Sequence, residues 1–160
     1  MDQRIPVAAV VPLREIRGED EEDTALLKQM AERSSRYVKS HSWCVALKEG
    51  FLATGIGGII ALFLFRVQIR GLSGERWLWV FMGGDVPSAY LEVGKFTTPR
   101  LAFEKYIAGL KEWADAVEQG LPVRDLIPLE ISPTLENVSR VRQTVGSLLA
   151  IVLPNFPGQA

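Results

Sequence analysis

From Phe63 to Arg70 the chain alternates apolar and polar residues. Phe63, Phe65, Val67 and Ile69 fall on one side, and Arg66, Gln68 and Arg70 on the other. A period of two marks a strand with one wet face. The preceding residues, Ile59 to Leu64, are apolar at nearly every position, so both faces of the strand should be covered there. Gly71-Leu72-Ser73-Gly74-Glu75 reads as a hairpin loop, and Arg76 to Met82 as the return strand. On that strand Trp77, Trp79 and Phe81 lie opposite Leu78 and Val80. Gly83 to Pro87 turns again, and Ser88 to Val93 forms a third strand. The expected product is an antiparallel meander.

Helical spacing appears on both sides of the meander. Leu26, Leu27, Met30 and Tyr37 make an apolar stripe in a helix expected over 19–39. A long helix should start at the cap Thr98 with Pro99 in its first turn and end at Gly120, burying Leu101, Tyr106, Ile107, Leu110, Trp113 and Val117. A last helix is expected from the cap Ser132 to Pro154, with Leu135, Val138, Val141, Val145, Leu148, Leu149 and Val152 facing inward. The segment 42–53 fits two periods. As a strand it aligns Trp43, Val45 and Leu47; as a helix capped by Ser42 it aligns Trp43, Leu47 and Phe51. Lys48-Glu49 breaks the strand alternation, which favours a short helix followed by a turn over 54–58. Residues 1–18, carrying Pro6 and Pro12, read as an extended arm, and 19–160 as one domain. The fold class that follows is α+β: an antiparallel meander of three or four strands packed against three or four α-helices.

Composition narrows the setting. The chain has 160 residues, 48% of them hydrophobic and 23% charged, enough for a full core. Its 18 basic and 19 acidic residues leave no cationic surplus for nucleic acid. The acidic run Glu19 to Asp23 suits the start of a helix. One cysteine, Cys44, rules out an intrachain disulfide and suggests a reducing, cytoplasmic setting. From Gly50 to Phe65 there are 16 residues without charge, too few to span a membrane and broken by four glycines.

No motif names a reaction. Gly55-Ile56-Gly57-Gly58 has the composition of a phosphate loop, but a strand follows it where a helix would be needed, so a tight turn or close backbone approach is expected. His41 and Cys44 are the sole residues of their kinds, too few for a zinc site. They could pair as base and thiol, although a buried Cys usually serves as a small hydrophobe. Asp85, Ser88 and Tyr90 bring a carboxylate, a hydroxyl and a phenol to the end of a sheet, where turn chemistry alone would also explain each residue. His41, Trp43, Cys44, Asp85, Ser88 and Tyr90 are therefore the candidate pocket, with no cofactor or metal implied.

The segments His41-Ser42-Trp43-Cys44, Gly57-Gly58, Phe63-Leu64-Phe65, Trp77-Leu78-Trp79-Val80 and Gly84-Asp85-Val86-Pro87-Ser88-Ala89-Tyr90-Leu91 resemble a family of uncharacterised bacterial proteins, over about residues 35–150. The resemblance implies a bacterial, cytosolic protein and no catalytic residues. The expected function is a binding or interaction domain for a protein partner or small ligand, with self-association through the N-terminal arm open. A small enzyme or ligand-binding protein with its cleft between 41–44 and 85–90 is the alternative.

Overall fold

The computed structural model describes residues 5–7 and 9–155. Five strands, β1 (Val11–Pro12), β2 (Cys44–Ile56), β3 (Ile60–Ile69), β4 (Glu75–Gly83) and β5 (Ala89–Glu92), form one sheet in chain order, every neighbour antiparallel. The hairpin between β3 and β4 pairs Ile60 with Gly83 and Gln68 with Glu75, turning through Gly71 and Gly74, both with positive φ. The arm supplies β1, which lies at the edge of the same sheet against Phe51 and Leu52 of β2. Pro12 is thus in an edge strand, the place in a sheet where a residue without an N–H is tolerated.

The segment 42–53 is not a helix. It is the start of the longest strand, and the reason it evades a period-two reading is visible in the register. The pairing of β2 with β3 shifts between Cys44 and Ala46, between Leu47 and Glu49, and between Leu52 and Thr54. Each bulge inserts one unpaired residue and resets which side chain faces which way. Val45, Lys48 and Ala53 are the extra residues. The strand then continues through the expected turn at 54–58, and the reversal falls at Gly57 to Ile59.

Helices cover both faces. On one, Ala61, Phe63, Phe65, Val67, Leu78, Val80 and Met82 pack with α1 (Glu21–Lys39) through Leu27, Met30, Tyr37 and Val38. On the other, Ile60, Leu62, Leu64, Trp79 and Phe81 pack with α2 (Pro99–Glu118) and α3 (Leu135–Ser147). Having cover on both sides is what makes β3 apolar at consecutive positions. The rings of Phe81 and Tyr106 stack at 4.2 Å, and the buried Tyr106 hydroxyl donates to the Pro87 carbonyl at 2.6 Å. Among the described residues no helix is long and apolar enough to cross a membrane; the uncharged stretch is the hairpin of β2 and β3.

The caps obey local chemistry. Asp20 opens α1 by accepting from Asp23 N–H at 2.8 Å, and Thr98 opens α2 by accepting from Leu101 N–H at 3.1 Å. The cap of α3 is Thr134, not Ser132, since Thr134 Oγ1 accepts from Asn137 N–H at 3.2 Å. That start leaves Leu135 outside, 68% exposed. Leu149, expected inside, is 41% exposed because α3 gives way to a wider π-turn over Leu148–Val152, which rotates the stripe. Leu101 on the first turn of α2 is also solvent-facing, at 42%. Trp113 is 2% exposed, in the core as expected.

Candidate functional site

The last turn of α1 and the first residues of β2 meet the middle of β5. Four rings gather there. His41 stacks on Trp43 at 4.8 Å and meets Tyr37 and Tyr90 edge-on at 4.8 and 5.1 Å. Trp43 and Tyr90 lie 5.0 Å apart. Offset and edge-on contacts of this kind match the ring quadrupoles. The His41 Nδ1 is 2.8 Å from the Tyr37 carbonyl oxygen. A carbonyl can only accept, so Nδ1 carries the proton and, in the neutral ring, Nε2 keeps its lone pair. Tyr37 is buried, and that burial, followed by the nearby Glu130 carboxylate and Tyr90, pushes its hydroxyl well above the usual tyrosine value.

Beside these rings the sheet edge opens into a depression of about 440 Å³. Trp43, Ile69, Leu78 and Tyr90 line it from the α1 side, and Lys105, Gly109 and Glu112 of α2 from the other. Tyr90, Leu91 and Glu92 of β5 lie between, and residues 125–128 of the link from α2 to α3 close the outer wall. Glu92, Glu112 and Asp125 place three carboxylates on the lining against the single ammonium of Lys105. Arg76 lies 3.8 Å from Glu92 and answers one of them.

The six candidates do not converge. His41, Trp43 and Tyr90 come together. Cys44 packs beneath them at the edge of the α1-side core, and partial burial pushes its thiol up, away from the thiolate a nucleophile needs. Ser88 precedes β5, with its hydroxyl 3.4 Å from the Met82 sulfur. Asp85 lies in a separate depression of about 810 Å³ between the turns at 58–59 and 84–87 and α3, which no aromatic ring lines. Among the described residues no group of His, Cys, Asp or Glu side chains is arranged to hold a metal ion.

The glycine segment is a close approach of backbones. Gly57 N–H donates to Asp23 Oδ1 at 2.7 Å, and a Cβ on Gly57 would sit 2.9 Å from the Asp23 carbonyl oxygen. Gly58 takes φ +81°. The segment therefore fastens the β2–β3 turn to the first turn of α1.

Several site residues escape a reading of the sequence. Tyr37 is legible there only as part of a helical stripe, and Glu112 and Asp125 as ordinary wet positions. Their convergence depends on the path of the link, which has no periodicity. The fold and site define an α+β protein with a five-stranded antiparallel sheet, helices on both faces and an aromatic depression at the β5 edge. Comparison with family models, curated proteins and solved structures finds no match to this chain.

Proposed function

We propose that this chain is a binding domain whose partner docks in the depression at the β5 edge. The observation that carries the reading is the cluster of Tyr37, His41, Trp43 and Tyr90, of which Trp43 and Tyr90 line a cavity of about 440 Å³. A volume in this range suits a ligand or a short anchor segment. Rigid aromatic side chains are also the residues that most often dominate binding energy. The placement of Asp85 in a separate depression, away from the rings, supports binding over catalysis. The single cysteine supports a cytoplasmic setting, and the resemblance noted above a bacterial one.

A small enzyme is the second reading. One feature favours it: His41, with Nδ1–H engaged, offers Nε2 as a base beside the depression.

Chemical-shift mapping of the isotope-labelled protein against a panel of small aromatic, amine and peptide fragments tests the proposal. Perturbations should cluster at Trp43, Tyr90, Leu91 and Lys105, and a Trp43→Ala variant should lose them while retaining its fold. Perturbations that gather instead around Asp85 and α3 would move the site and sink the reading.

A further inference from the structure

We infer that the outer edge of β5 takes an extended, basic peptide segment of a partner protein as an additional strand. This rests on the docking reading above and deepens it by naming the occupant. The bonding phase of β5 is the starting point. Val93 N–H donates to the Trp77 carbonyl at 3.0 Å, in line with the register that pairs Leu78 with Glu92 and Val80 with Tyr90. Bonded and non-bonded pairs alternate along an antiparallel ladder. Leu91 and Ala89 therefore turn their backbone groups toward β4, and Tyr90 and Glu92 turn theirs away from it. Among the described residues no hydrogen bond reaches the Tyr90 or Glu92 backbone from outside the sheet. Such a row of unpaired N–H and C=O groups is a template for another strand.

The depression lies along this edge rather than over one face, because three consecutive residues, Tyr90, Leu91 and Glu92, all line it. Successive side chains of an incoming strand point to opposite sides. Here one side offers Trp43 and Leu78, and the other Gly109 and Ile127. The link at 125–128 passes nearby without a backbone bond to β5, and Pro128 has no N–H to offer. The carboxylates of Glu112 and Asp125 outweigh Lys105, which favours Lys or Arg in the partner. With a rise of about 3.3 Å per residue, the stretch from Tyr90 to Glu92 matches about three partner residues.

The probe is a pool of capped pentapeptides with Lys at positions two and four and mixed apolar residues elsewhere, paired with the same pool N-methylated throughout the backbone. Amide hydrogen exchange of the labelled protein is the readout. At saturating pool the Tyr90 and Glu92 amides should exchange about tenfold more slowly, and the methylated pool should have no such effect. Shifts at the Trp43 indole with unchanged Tyr90 and Glu92 exchange overturn strand addition and leave the docking reading standing. If neither the indole nor the amides respond, both fall. Should the two amides be protected without peptide, increasingly with protein concentration and with a dimer mass in sedimentation, the occupant is a second copy of this chain and the peptide proposal is wrong.

Discussion

Single residues separate into those whose surroundings have no slack and those that face water. Trp113 of α2 is nearly sealed in the core shared by β3, β4, α2 and α3, so Trp113→Ala leaves a cavity and should cost about 3–5 kcal/mol. Leu149→Ala should stay within about 0.5 kcal/mol, since that side chain is exposed. Urea midpoints of the two variants check the contrast, and equal shifts would contradict the burial pattern. Ser34 is fully buried on α1, and among the described residues its hydroxyl has no partner. Ser34→Ala should therefore raise the midpoint, by about 1 kcal/mol, because a buried unpaired hydroxyl costs free energy that a methyl does not. Tyr37 and Tyr106 both have their hydroxyls pushed up, chiefly by burial, from an ordinary value of 10.0. The folded state thus holds these protons where the unfolded chain releases them. Their contribution is intact below pH 10 and declines as pH rises above it. Stability of the wild type should fall above that pH more steeply than that of a Tyr106→Phe variant, measured by urea unfolding across the alkaline range.

Among the elements, the junction of α1 with the β2–β3 turn is the most exacting. Asp23 accepts from Gly57 N–H with one carboxylate oxygen and from Glu19 N–H with the other, at 2.7 and 2.8 Å. Asp23→Ala removes both partners and should cost about 1–3 kcal/mol. Gly57→Ala should destabilise by about 1–3 kcal/mol as well, because the new methyl meets helix backbone that cannot step aside. Thermal melts of the two variants provide the comparison, and a Gly57→Ala melt matching the wild type would show that the helix can retreat. The three bulges of β2 belong to the same scale. They turn Cys44, Leu47 and Leu52 inward toward α1 and put Val45 and Lys48 outside, a pattern that imitates neither a strand nor a helix along the sequence.

At the scale of the molecule, β3 and β4 donate alternate side chains to two cores, one under α1 and one under α2 and α3. Shared strands tie the two cores together, so unfolding should be one transition. Phe63→Ala in the first core and Trp113→Ala in the second should each move the whole denaturation curve, followed in parallel by tryptophan fluorescence and circular dichroism. Two separated transitions would show that the sheet does not couple them. The arm is part of this arrangement as well, since Val7 and Ile16 are buried and β1 closes the β2 edge.

The sequence by itself determined the elements whose causes are local. Alternation in the second half of β3, the apolar run of β4, the glycines between them, and the Thr98-Pro99 start of α2 were all readable, because periodicity and capping act over a few residues. The α+β class followed from their order, and Trp113 from its stripe. Tertiary structure decided the rest. Whether 44–56 runs as a strand depended on bulges that only pairing with β3 imposes. Which residues of the last stripe were buried beyond Ser147 depended on the π-turn after α3, which keeps Leu148 and Val152 inside and turns Leu149 out. Within the candidate site, His41, Trp43 and Tyr90 come together because a helix end, a strand start and an edge strand meet, while Asp85, five residues before Tyr90, is carried to a separate depression. Adjacency along the chain is a contact only while the backbone stays regular; at turns and sheet edges, the packing of distant elements decides what faces what.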